Sequence, residues 1–136
     1  ITDTLYFDNY VAKNFKVGER TILQGNMYGF IEPLEATSLG LYISLCRCAW
    51  DGIFKKHTFD KCNVHIKEKM IEVQNMILWH YQFGSRYDTP FWDYAKSLPF
   101  NPDKRFYEVT NGNLDEEYGQ WEYWNFENWK KGVQYV

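Results

Sequence analysis

The residues best placed to do chemistry lie between Gly25 and Ser38, where Glu32 and Glu35 flank Pro33 and Leu34 and lead into a strongly apolar helix. An ionised carboxylate held away from water must find a partner or neutralise, which is how functional sites tune their acids and bases. Two glutamates in an otherwise apolar loop therefore mark a candidate site. The same residues also read as a solvated turn followed by a helix start, and the physics alone does not separate the two readings.

The other reactive groups point elsewhere. Cys46, Cys48 and Cys62 make an odd number, and Cys46-x-Cys48 lacks companion ligands at the spacing a zinc site needs. Free thiols in a reducing compartment are expected, and no metal site. His57 reads as a capping or solvated residue, and His80 as a hydrogen-bonded core or capping histidine rather than a ligand.

The elements that must position the Gly25–Ser38 corner follow from periodicity. Residues 1–20 show no clean period and suggest only one short strand or turn of helix. Thr21 to Gln24 reads as a short strand ended by the turn signal Gly25-Asn26. From Leu39 the apolar positions Leu39, Tyr42, Leu45, Cys46, Ala49, Trp50 and Ile53 predict an amphipathic helix with Thr37 or Ser38 as N-cap. Gly52, Lys55, Lys56 and His57 suit its C-terminal end. After a loop through Asp60 and Asn63, Ile66, Met70, Val73, Ile77 and Tyr81 predict a second helix, antiparallel to the first across a short connector and stopping near Gly84. Asp88, with Thr89 held extended by Pro90, predicts a specified turn. Pro99 to Glu117 is polar and aperiodic, so a mobile surface loop is expected there. The fold expected is mainly α: two long antiparallel helices and an irregular, aromatic-rich tail.

That tail packs Trp121, Tyr123, Trp124, Phe126, Trp129 and Tyr135 closely together. Such a cluster either caps a core or sandwiches a flat aromatic ligand. The 136 residues are 45% hydrophobic and 20% aromatic, enough for one domain with a core. A net charge of −3 with both signs interspersed leaves no electrostatic footprint for nucleic acid or an anionic membrane. No apolar run approaches a membrane span, no signal peptide is visible and no repeat occurs, so a soluble cytoplasmic protein is expected. The start at Ile1, and a close from Gly132 to Val136 that reads like a strand or turn cut in mid-element, suggest a fragment.

Three ordered motifs carry a resemblance. Gly25-Asn26 followed by Gly29-Phe30-Ile31-Glu32-Pro33-Leu34-Glu35-Ala36-Thr37 resembles the Phe-Val-Glu-Pro-Leu-Glu-Ala-Thr block of the flavin-dependent tryptophan halogenases. His80-Tyr81, Ser85-Arg86 and Asp88-Thr89-Pro90-Phe91-Trp92 resemble that family's turn after the helix. Asn128-Trp129 with Gly132 and Tyr135 resembles its later substrate-site segment. The resemblance implies part of an α/β flavin monooxygenase-like fold, with residues 1–35 ending the FAD-binding region and residues 36–136 forming an incomplete helical substrate-binding subdomain. The family's Gly-x-Gly-x-x-Gly and its lysine find no counterpart here, so the missing N-terminal part is an implied partner and the chain alone is expected to be inactive.

In that family reduced FAD, supplied by a flavin reductase, reacts with oxygen and halide to give hypohalous acid, which halogenates an electron-rich arene through the lysine. Glu35 matches the active-site glutamate, which can orient the electrophile, stabilise the cationic ring or accept its proton; Glu32 has no such match. Thr37 and Ser38 match the backbone halide site, in keeping with the unpaired amides and positive dipole of a helix start. Ser38 stands where glycine is usual. Gly25 and Asn26 match the turn that meets the flavin, with bulky Met27 and Tyr28 where small residues are usual. Asn128 and Trp129 match the substrate site, Trp129 as an aromatic wall for an indole or phenol. Two other classes stay open: a related FAD-dependent hydroxylase, and a small aromatic-rich binding module.

Overall fold

The computed structural model describes residues 8–31, 37–83 and 87–134, of which residues 133 and 134 are described in backbone only. It is mainly helical, as expected. Four two-residue strands precede five helices: β1 Tyr10–Val11, β2 Lys16–Val17, β3 Thr21–Ile22 and β4 Gly29–Phe30, then α1 Thr37–Ile53, α2 Phe59–Phe83, α3 Pro90–Ser97, α4 Lys104–Thr110 and α5 Tyr123–Gln134. No helix among the described residues is long and apolar enough to cross a membrane. The chain divides into two compact units, Ile1–Glu68 and Lys69–Val136, with the boundary inside α2.

In the first unit β2 and β3 form a hairpin, pairing Lys16 with Ile22 and Val17 with Thr21, turned by Gly18 at φ 62°. β1 and β4 pair Tyr10 with Phe30 and Val11 with Gly29. Phe15, fully buried, meets Tyr28 edge-on at 6.5 Å and Phe59 at 5.8 Å. Asn63, expected in a loop, lies instead in the second turn of α2. It accepts from the Phe15 amide at 3.3 Å and donates to the Asn14 side chain at 3.0 Å. α2 starts early because Thr58 caps it: its Oγ1 accepts from the Lys61 amide at 3.2 Å.

α1 has the predicted extent but buries a different face. Thr37, Leu41, Leu45, Cys48 and Gly52 are buried, whereas Leu39, Cys46, Trp50 and Ile53 of the predicted stripe are exposed. Only Leu45 belongs to both sets. Small side chains decide the matter: Phe59 lies over Gly52, and Cys48 Sγ approaches the Cys62 carbonyl at 3.8 Å. These contacts step back one turn along α1 as they step forward along α2, the pattern of an antiparallel hairpin. Gly52 is therefore a packing residue and not a cap. The left-handed position after α1 is taken by Lys55 at φ 57°.

The second unit holds the remainder of α2 with α3, α4 and α5. The expected loop from Pro99 to Glu117 contains α4, whose N-cap Asp103 accepts from the Phe106 amide at 2.9 Å. Phe106 and Val109 are buried, and Arg105 bonds to Glu72, to Glu116 and to the Glu117 carbonyl, so the segment is fixed at both ends. The turn at Asp88–Thr89 opens α3, with Pro90 at its first position. The tail, expected to be irregular, is helix α5 and runs through Gly132. Phe106 meets Tyr118 at 5.1 Å and Phe126 at 6.0 Å, which ties α4, the Tyr118–Trp121 bridge and α5 into one aromatic core.

Candidate functional site

The turn at Gly25 and Asn26 is a single 3-10 turn, Gly25–Met27, entered from Gln24 in extended conformation. Gly25 sits at φ 55°, a conformation that favours glycine, and its carbonyl accepts from the Tyr28 amide at 3.0 Å. The two bulky residues that follow part company. Met27 is 72% exposed, while Tyr28 is fully buried in the core of the unit. Neither fills the open side of Gly25, where the nearest group to a Cβ placed on the glycine would be the Tyr42 ring at 3.9 Å.

Helix α1 holds this turn through three hydrogen bonds. The Tyr42 hydroxyl donates to Asn26 Oδ1. Gln24 Nε2 donates to the Leu45 carbonyl at 3.4 Å, and Cys46 Sγ donates to Gln24 Oε1 at 3.6 Å. Periodicity makes Tyr42 and Cys46 core positions of α1. Their bonds to residues about twenty positions earlier leave no periodic signal that could reveal them.

Thr37 and Ser38 open α1, Thr37 buried and Ser38 half-buried, with no acidic residue in the first described turn. The dipole of such a helix start favours anions. Glu32 and Glu35 lie outside the described residues. The structure thus places Gly25, Asn26, Thr37 and Ser38 in the first unit, the turn and the helix start being linked through α1.

Asn128 and Trp129 belong to the second unit, on α5. Asn128 is exposed; Trp129 is half-buried. The Trp129 indole is surrounded by Phe126 at 5.5 Å, His80 edge-on at 5.7 Å, Trp121 at 6.0 Å and Trp79 at 6.2 Å. Phe126 and Trp121 are buried and Trp79 and His80 are half-buried, so the ring is fixed from behind while part of it stays open. His80, expected as a core or capping residue, contributes a ring contact to the expected arene wall.

Two groups of the first unit are set by burial. The Tyr28 phenol is pushed up to about 12, by desolvation first and by neighbouring Cys48 second. Desolvation, then Cys62, pushes the Cys48 thiol up to about 11. Cys48 and Cys62 are buried and Cys46 exposed, all three as free thiols, and a buried thiol held protonated is a poor nucleophile. Among the described residues no group of three or more His, Cys, Asp or Glu side chains could hold a metal ion.

Comparison with known proteins adds a family. The sequence model of the family described as tryptophan halogenase matches residues 12–133. The chain is also 35% identical over 75 residues to the tryptophan 6-halogenase ThaL of Streptomyces albogriseolus, a stretch covering 51% of this chain and 14% of that relative. No solved structure matches.

Proposed function

The chain belongs to the tryptophan halogenase family, and from that premise we propose that it is the C-terminal part of a flavin-dependent halogenase acting on an electron-rich arene such as tryptophan or another indole. The family match over residues 12–133 carries this reading. The 14% share of the relative covered by the matched stretch supports a longer catalytic polypeptide. In it, residues 1–35 end the FAD-binding region and residues 36–136 form the helical substrate-binding part. The rest of the polypeptide supplies the dinucleotide site and the lysine, and a cytoplasmic flavin reductase supplies reduced FAD.

The described residues fit the cofactor: Gly25 carries no side chain at a positive φ, and exposed Asn26 beside it offers amide donors. When bound, reduced flavin with oxygen supplies the oxidising power that turns halide into hypohalous acid. The residues of this chain do the rest of the work around it. The amides of Thr37 and Ser38 hold the halide at the start of α1. Trp129, braced by Phe126 and Trp121, stacks on the arene and excludes water, with Asn128 at its edge. Glu35 stabilises the cationic ring and takes the proton lost from the substituted carbon.

The test is a chimera in which this chain replaces the corresponding C-terminal segment of the tryptophan 6-halogenase. Mass spectrometry of its products should show halotryptophan, falling about 100-fold or more with Glu35→Gln. A chimera that folds and binds FAD but yields no halogenated arene contradicts the proposed function. Full activity with Glu35→Gln contradicts the role of Glu35. The isolated chain should neither bind FAD tightly nor turn over.

A further inference from the structure

We propose that Tyr42 is a positioning residue for the flavin-facing turn: by occupying Asn26 Oδ1 it turns the Asn26 amide nitrogen outward, so that the turn presents hydrogen-bond donors to an acceptor oxygen of the flavin. The proposal rests on the cofactor reading of Gly25 and Asn26 and deepens it.

An exposed asparagine carries an acceptor and two donors on one freely turning amide and, unheld, offers a ligand either end. Here one end is taken. The Tyr42 hydroxyl donates to Asn26 Oδ1, and among the described residues the Asn26 nitrogen makes no hydrogen bond of its own. The donors are therefore what remains for a ligand. A flavin offers acceptor oxygens along its ribityl chain, its phosphates and its ring carbonyls, and donors aimed at them complement all three.

The same tyrosine supports the neighbouring residue. Its ring is the nearest group to where a Gly25 Cβ would stand, 3.9 Å away, and so lines that side of the turn. Gln24, on the other side of Gly25, is held to the next turn of α1 through the Leu45 carbonyl and Cys46. The turn is thereby clamped to α1 at Gln24 and at Asn26, on either side of Gly25. α1 is also the helix that begins at Thr37 and Ser38, so the turn and the helix start share one rigid element. A phenylalanine at position 42 would fill the same space, and what distinguishes tyrosine is the bond to Asn26.

The proposal is tested by side-chain amide NMR on the whole 136-residue chain, with FAD at millimolar concentration as the probe of weak binding. In the wild type the two Asn26 amide protons should be well separated and should move on adding FAD, as should the Gly25 amide. Tyr42→Phe should collapse the Asn26 pair, leave the signals of α5 unchanged and weaken the FAD response about three- to tenfold. Asn26→Asp keeps the acceptor for Tyr42 and removes the donors, so it should abolish the response at Gly25 while the fold persists. An Asn26 pair indifferent to Tyr42→Phe, or an Asn26→Asp chain that responds to FAD like the wild type, overturns the proposal. If the pair collapses with Tyr42→Phe but wild-type signals ignore FAD, the cofactor reading of the turn fails and the positioning role with it. Family membership and the arene wall at Trp129 would be untouched.

Discussion

The ring of Phe59 lies so closely over Gly52 that a Cβ on the glycine would come 2.4 Å from ring carbon Cε1. On helix propensity alone Gly52→Ala should stabilise α1 by about 1 kcal/mol. The ring cannot simply swing away, because it also packs on Phe15 at 5.8 Å and under the Lys16 ammonium at 5.1 Å. Overpacking typically costs about 1–3 kcal/mol. We expect Gly52→Ala to lower the denaturant midpoint, and Phe59→Leu in the same chain to recover part of the loss. A midpoint raised by Gly52→Ala alone would show that the close approach of Phe59 is not needed.

Arg105 is the busiest side chain of the second unit. It bonds to Glu72, Glu116 and the Glu117 carbonyl, and its guanidinium lies 5.6 Å over the Tyr118 ring. Glu72 in turn accepts from the Gly119 amide at 2.8 Å. Arg105→Met removes one of the two cationic partners of a carboxylate that is only 13% exposed, leaving Lys69 at 3.6 Å and the Gly119 amide, and the loss should be on the order of 1–3 kcal/mol. Arg105→Lys should recover little, since one ammonium cannot match a forked donor. Unfolding followed by tryptophan emission would measure it. A loss within about 0.5 kcal/mol, the range of ordinary surface changes, would demote the network to decoration.

Tyr28 gives an opposite expectation. Its hydroxyl is buried and, among the described residues, has no hydrogen-bond partner, a condition that costs about 1–3 kcal/mol relative to a satisfied group. Tyr28→Phe removes the polar atom and keeps the edge-on contact with Phe15. The variant should be as stable as the wild type or more stable by about 1 kcal/mol. A clear loss would mean that the hydroxyl is satisfied in solution by an internal water.

What can be read in the sequence depends on element length and on how strongly one face is marked. The stripe from Ile66 to Ile77 is unambiguous, and α2 buries it. α1 carries apolar residues on two faces, and the choice between them is made by small residues, Cys48 and Gly52, that hydrophobic periodicity does not weigh. α4 spans seven residues, too few for a period, although Pro102-Asp103 ahead of Phe106 and Val109 holds a cap signal. In α5 the exposed Trp124 beside buried Phe126 blurs the pattern. At the site, the motif residues are legible because they are contiguous. The clamp from Tyr42 to Asn26 is not, because a bond across sixteen positions exists only once α1 is folded against the turn.

Alkaline pH offers a test of how the first unit is packed. Burial raises the Cys48 thiol from 9.0 to about 11 and the Tyr28 phenol from 10.0 to about 12, so both are held neutral in the folded chain after they would ionise in the unfolded one. Below pH 9 both states bind these protons equally, and the groups' contribution to stability is fully present. Between pH 9 and 12 the unfolded chain releases them first, so stability falls as pH rises through the folded values. For Cys48 alone the loss by pH 11 is on the order of 2–3 kcal/mol. Urea midpoints at pH 8, 10 and 11 should therefore decline in the wild type. In Cys48→Ala the decline should be shallower from pH 9 to 11, because the group that ionises on unfolding is gone. Parallel declines in the two chains would place the Cys48 thiol in contact with water and contradict the tight closure of α1 onto α2.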